Sequence, residues 1–263
     1  MIEPNFCELQ LQQMVNSEIF NRFHGFALSP IIPIVVPQFY EDQWGWDTGL
    51  FLPWFGRGLQ NQKGCNFFIQ YKLSNKYDTS SALGWESWEA PFYKFNLGYR
   101  RKRRWDFVQR NHLIELSENG FITIYVTNNV VDFSELTRIA VHGELCSELP
   151  VLQVTDVLKR HKTVTFTEHA DQFCLHSEIE RAERSSVIKI FESVKPTEFN
   201  NDLNTVVKVL SRFEDAIGIQ ENGIRQIIER LPQQNFFYLK TRVVVSLLRQ
   251  YLNVDWVWIR REE

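Results

Sequence analysis

One stretch, Asn66–Leu73, constrains this chain more than any other. Phe67, Phe68, Ile69 and Tyr71 give it strong β-propensity with little polar interruption, the pattern of a central strand covered on both faces. The 263 residues supply ample chain for the core such a strand needs. Two polar residues break the run. Gln70 and Lys72 are two positions apart, so alternation sets them on one face while Tyr71 takes the other. An unpaired ammonium is costly to bury. Lys72 therefore needs an acidic partner or the border of an open site.

Periodicity supplies the other elements. Apolar residues at helical spacing from Phe6 to Phe23 predict an amphipathic first helix bearing Glu8 and Glu18. Pro30, Pro33 and Pro37 then impose an extended connection. The aromatic segment Trp88–Tyr99 reads as extended, and Trp105–Asn119 as a helix stopped by Gly120. Phe121–Val126 is a second buried strand, Asp132–His142 a helix stopped by Gly143, and Val164–Phe166 a short strand. Glu180–Glu183 and Arg260–Glu263 read as solvated helix or tail. Beyond Pro196, the segments Leu203–Ile217, Gly223–Leu231 and Phe237–Leu252 show helical periodicity without alternation. The expectation is an α/β core over residues 1–195 and a helical region over 196–263.

Composition narrows the functional classes. With 29 Lys and Arg against 32 Asp and Glu, a polyanion would have to be held by a local patch, not by the overall field. The four cysteines are dispersed without Cys-x-x-Cys spacing, which argues against a zinc ribbon or a disulfide framework and fits a reducing cytoplasm. Neither an export signal nor a membrane span is legible: Ile31–Val36 is short and bounded by prolines. No Gly-rich phosphate loop occurs.

The chemistry concentrates around Glu41-Asp42-Gln43-Trp44-Gly45-Trp46-Asp47 and the Gln70-x-Lys72 strand. If Asp47 lies beside that strand, a carboxylate, an amide oxygen and an ammonium meet at a sheet edge. The oxygens suit Mg²⁺, and the ammonium can orient an attacking water or stabilise phosphate charge. The bland alternative makes Gln70 and Lys72 strand-end residues and Asp47 a turn residue. Arg100, Arg101, Lys102, Arg103 and Arg104 form five consecutive cations beside Tyr99 and Trp105, suited to phosphate contact and stacking. The alternative is a solvated loop opening the next helix, although cations there oppose the helix dipole. Gln109, His112 and Glu115 share one helix face. His169, His176 and Glu178 have no zinc spacing and read as loop or partner-facing residues. Trp85, Trp88, Phe92, Tyr93 and Phe95 read as core or as a lid over the site.

The order of an acid-bearing helix, Gly-x-Asp, a hairpin into Gln-x-Lys, then helix, strand and helix resembles the PD-(D/E)xK nuclease superfamily, in particular its Mrr-like restriction endonuclease branch. The resemblance spans the first half to two thirds of the chain. It implies a restriction-endonuclease-like mixed sheet flanked by helices, and a Mg²⁺- or Mn²⁺-dependent nuclease, a DNA endonuclease in bacterial or phage defence. Carried across, Asp47 and Gln70 would sit at the metal, Lys72 would serve the attacking water, and Gln109 would support from the following helix. Glu8, Glu18 or Glu41 would complete the site. Gln70 in place of the usual acid removes one negative charge and opens a second expectation: a catalytically silent nuclease fold that binds nucleic acid or a defence partner. In the nuclease reading the C-terminal helices provide a homodimer or partner surface.

Overall fold

The computed structural model describes residues 1–24, 34–35, 47–54, 63–101, 104–118, 121–177, 179–193 and 257–258. Helix α1 (Glu8–His24) precedes β1 (Ile34–Val35), β2 (Thr48–Trp54) and β3 (Lys63–Lys72). Strands β4 (Asn75–Tyr77), β5 (Phe92–Asn96), β6 (Tyr99–Arg101) and β7 (Arg104–Asp106) lead to α2 (Val108–Glu118) and β8 (Ile122–Thr127). Next come α3 (Phe133–Val141), α4 (Leu145–Glu148), β9 (Val151–Gln153), β10 (Thr163–Phe166), β11 (Gln172–His176), β12 (Glu180–Glu183), α5 (Val187–Ser193) and β13 (Val257–Trp258).

The result is a mixed α/β architecture with two main sheets. The first runs β1-β2-β3-β8-β9, with β13 parallel to β2. Its β1, β2 and β3 are antiparallel neighbours, whereas β3 and β8 are parallel, with Gln70 opposite Tyr125. A parallel pair requires a crossover, and α2 lies within it. The second sheet is antiparallel in the order β12-β11-β10-β5-β4.

Strand β3 sits at the centre of the first sheet, as its apolar run requires. Phe67, Ile69 and Tyr71 face a core built from Leu11, Val15 and Ile19 of α1, Leu136 and Ile139 of α3, and Val187, Ile190 and Phe191 of α5. Phe67 stacks on Phe191 with ring centroids 4.5 Å apart. The opposite face carries Phe68, edge-on to Phe121 at 5.5 Å, and Tyr125, whose ring lies 6.2 Å from Phe95 of the second sheet. The face bearing Gln70 is thus covered by α2 and the second sheet, and the face bearing Tyr71 by helices.

Several sequence expectations are corrected. The helix expected from Trp105 begins at Val108, because Arg104–Asp106 pairs with Tyr99–Arg101 in a hairpin. Arg100, Arg101 and Arg104 consequently lie on paired strands and do not open a helix; Lys102 and Arg103 lie outside the described residues. Glu180–Glu183 is a strand, not a solvated helix: Ala182 turns inward while its charged neighbours occupy an outer edge, a placement that suits an edge strand. His176 is not a loop residue but ends β11. Of the aromatic residues read as core or lid, Phe92, Tyr93 and Phe95 are buried core, as the first alternative has it. The helical region expected over 196–263 falls outside the described residues, except that Val257–Trp258 is a strand. Among the described residues no helix is long and apolar enough to cross a membrane.

Candidate active site

The site starts from the seating of α1 on β2. Gln12 and Asn16, four residues apart on one stripe of the helix, are buried polar residues. Gln12 Nε2 donates to the Asp47 carbonyl and to Thr48 Oγ1, each at 3.1 Å, and Asn16 Nδ2 donates to Thr48 Oγ1 at 2.9 Å. Tyr71 O–H in turn donates to Asn16 Oδ1 at 2.8 Å. These bonds fix the start of β2, where Asp47 N donates to the Ile69 carbonyl at 2.9 Å and extends the β2–β3 ladder.

Alternation sends the Asp47 side chain to the face opposite Thr48, the one that carries Gln70. Its Oδ2 accepts from Gln70 Nε2 at 2.7 Å and from the Tyr71 amide at 2.6 Å. Both partners are deeply buried, Asp47 at 2% exposure and Gln70 at 0%. Charge-assisted bonds of this length are among the stronger ones a protein makes. With its amide nitrogen committed to Asp47, Gln70 presents its carbonyl Oε1 elsewhere, and that buried atom has no hydrogen-bond partner among the described residues. Thr123 Oγ1 and Tyr125 OH share that condition. They stand opposite Phe68 and Gln70 in the β3–β8 register, so all three oxygens belong to one face. Burial pushes the Tyr125 phenol well above its ordinary range, so it stays a neutral O–H donor.

Lys72 lies two residues beyond Gln70 on the same face and is half-buried. Its ammonium donates to Gln109 Oε1 of α2 at 3.2 Å. The next residue, Arg110, anchors the helix by donating from Nη1 to the His161 carbonyl at 2.6 Å. One turn along, burial holds the His112 imidazole below its usual range, partly offset by Glu115.

The expected site residues are therefore brought together in two linked pairs, Asp47 with Gln70 and Lys72 with Gln109. Glu41 lies outside the described residues. Of the helix acids, Glu18 is removed from the site. Its carboxylate accepts from the amides of Leu145 at 2.7 Å and Cys146 at 3.1 Å, which caps α4, and it pairs with Arg22 at 3.1 Å. Six residues of helix separate it from Gln12, about 240° around the axis, so it points away. Glu8 is one turn before Gln12 on the same stripe and is partly exposed. Gln12, Asn16, Thr123 and Tyr125 were not expected. The available signal was the pair of amides at i and i+4 inside an otherwise apolar helix face.

Among the described residues no group of three or more His, Cys, Asp or Glu side chains is placed to hold a metal ion. Comparison with known proteins finds no matching family model, no matching curated protein and no matching solved structure. A carboxylate and an amide carbonyl, both hard oxygen donors, lie on one strand pair, with a half-buried ammonium one alternation further along.

Proposed function

We propose that the chain is a metal-dependent phosphodiester hydrolase acting on nucleic acid, a DNA endonuclease of bacterial or phage defence built on a restriction-endonuclease-like core. The observation that carries the reading is the Asp47–Gln70 pair joined across β2 and β3, with the Lys72 ammonium on the same face held by Gln109. The element order supports it: a helix, three antiparallel strands, a crossover helix and a strand parallel to the third. Such an arrangement gathers residues from β2, β3 and α2 at one end of the sheet.

The donor set fits a hard cation in kind. Gln70 Oε1 is a buried oxygen without a donor among the described residues, and Asp47 supplies the adjacent carboxylate. These two would hold Mg²⁺ or Mn²⁺, with Glu8 or Glu41 as the further acid. The ion, when bound, supplies Lewis-acid polarisation of a phosphoryl oxygen and a more acidic water. Lys72 acts within the protein's own chemistry: its ammonium, oriented by Gln109, offsets charge developing on the phosphate and directs a water's lone pair. Arg100, Arg101, Lys102, Arg103 and Arg104 would hold the flanking phosphates.

A second reading, nucleic-acid binding without hydrolysis, is favoured by one observation: Asp47 Oδ2 is engaged by two N–H donors inside a closed pair. Incubation of the pure protein with supercoiled plasmid in Mg²⁺ or Mn²⁺ separates the two. Nicking that EDTA and Lys72→Ala both abolish supports hydrolysis. Plasmid retardation without nicking under every metal condition refutes it.

A further inference from the structure

Strand β12 ends the second sheet. It pairs with β11 in a regular antiparallel register, and no other strand among the described residues pairs with it. Beyond its last residue, Arg184 N donates to the Asp171 carbonyl at 2.8 Å and continues that register. Hydrogen-bonded and non-hydrogen-bonded pairs alternate along an antiparallel ladder. The amides and carbonyls of Glu180 and Ala182 are therefore spent on β11, and those of Arg181 and Glu183 point outward. Both residues are exposed. A row of outward backbone donors and acceptors is a template for another strand.

The charges on this edge are ordered about Ala182. Arg181 and Glu183 flank it and, two residues apart, share one face. The next charges on either side are engaged within the chain. Glu180 pairs with Arg160 and, at 3.1 Å, with His161, while Arg184 Nη1 donates to the carbonyls of Thr167, Glu168 and Ala170. Arg181 Nη2 donates to the Ser87 carbonyl at 2.9 Å and the guanidinium lies 4.4 Å from the Trp88 centroid. A guanidinium so placed keeps further N–H donors for a carboxylate. A two-fold axis through Ala182 sets Arg181 opposite Glu183 of a second copy, and Glu183 opposite the second copy's Arg181. These are the same positions whose backbone groups point outward, so each pair can exchange both N–H···O bonds. A slip of two residues, the smallest that keeps outward groups opposed, sets Arg181 against Arg181 or Glu183 against Glu183. Like charges directly opposite are destabilising, so the pattern selects one register.

We propose that β12 is the interface of an isologous homodimer, in which the second sheets of two copies join edge to edge with Arg181–Glu183 pairs on either side of Ala182. The occupant follows from charge complementarity: a strand of the same sequence running antiparallel supplies both partners at once, as a two-fold interface requires. Ser185 N donates to the Val151 carbonyl and Val151 N to the Ser185 carbonyl, each at 3.0 Å. Those bonds commit the chain to β9 and end the edge after Glu183. Ile179, 71% exposed, closes the other end of the row and lies where the second copy turns away. The dimer does not depend on the hydrolase reading.

The test is sedimentation equilibrium of the full chain across the micromolar range. The wild type should show a monomer–dimer equilibrium. Glu183→Arg and Arg181→Glu should each raise the dimer Kd by about tenfold or more, because two symmetric attractions become repulsions. Arg181→Glu/Glu183→Arg exchanges the charges and should dimerise as the wild type does. An equimolar mixture of the two single variants should also recover dimer, since each chain then carries the charge that the other needs at both positions. Circular dichroism melts confirm that each variant is folded. Arg181→Glu gives up the Trp88 contact, so if it is unstable the test rests on Glu183→Arg, with Glu183→Gln expected between it and the wild type. A wild type that stays monomeric throughout overturns the proposal. So does a dimer whose Kd is unchanged in folded Glu183→Arg, which would place the interface elsewhere, or a mixture of folded single variants that associates no better than either alone.

Discussion

Replacing Gln70 by Glu puts a second carboxylate where an amide now donates to Asp47 at 2.7 Å. Two unit charges at that separation repel by about 6 kcal/mol at an effective dielectric of 20. Retaining one proton between the oxygens avoids this and preserves a short hydrogen bond. Holding that proton costs about 1.4 kcal/mol per pH unit above the unfolded glutamate value of about 4.3, hence about 1 kcal/mol at pH 5 and about 5 kcal/mol at pH 8. The proton is therefore kept across this range, being cheaper than the repulsion. The sign follows from linkage: a carboxyl that is protonated when folded contributes stability at low pH and loses it as pH rises. At about 2–4 °C per kcal/mol for a chain of this size, Gln70→Glu should melt about 2–4 °C below wild type at pH 5 and about 10–20 °C below it at pH 8. Mg²⁺ should narrow the pH 8 gap by binding the paired carboxylates, with cleavage retained or raised. Differential scanning calorimetry at both pH values, with and without the metal, provides the measurement. A gap independent of pH would show that residue 70 does not face Asp47, and the site would have to be rebuilt.

Lys72→Ala should abolish cleavage with little change in melting temperature, since the side chain is half-exposed; loss of folding instead would mark Lys72 as structural. Asp47→Ala should cost about 2–5 kcal/mol, because it strands two buried N–H donors, so activity loss there must be read beside a denaturant melt. Glu18→Ala should cost about 1–2 kcal/mol through loss of the α4 cap while any cleavage persists, and a nicking assay that falls with this variant would return Glu18 to the site. Neutralising Arg100, Arg101, Lys102, Arg103 and Arg104 together should weaken duplex binding across all sequences and flatten the salt slope; an unchanged slope would show that the hairpin does not touch phosphate. Tyr125→Phe should leave stability unchanged or raise it by about 1 kcal/mol, since the phenol oxygen it removes has no partner among the described residues, and a clear loss measured by urea titration would mean that a bound water or ion holds that oxygen.

The central strand and the Asp47–Gln70–Lys72 alignment were legible because both rest on the two-residue period, which survives whatever packs around it. Helices α1 and α3 were legible for the corresponding reason, and Asp132 caps α3 by accepting from Ser134 N at 2.7 Å. The polar stripe of α1 was missed because a search for apolar periodicity discards Gln12 and Asn16, although burial of two amides at i and i+4 implies an organised partner. The acid on α1 stays open in the sequence for want of a helix phase: Glu8 and Glu18 look equivalent until the side facing β2 is known. The second sheet was only half visible. Val164–Phe166 reads as a strand by its own composition, whereas Glu180–Glu183 becomes one only because β11 offers it an edge.

The second sheet is drawn from two distant stretches of chain, β4 and β5 before α2 and β10 to β12 after β9. During synthesis β5 emerges long before its partner β10, so for that interval Phe92–Asn96 presents a bare edge with Tyr93 and Phe95 uncovered, a template for association with other nascent chains. Closing the sheet also closes a loop of roughly seventy residues around α2, and non-local closures of this kind slow folding. Truncation before β10 would leave β5 without its neighbour, and such a fragment should be recovered chiefly as aggregate.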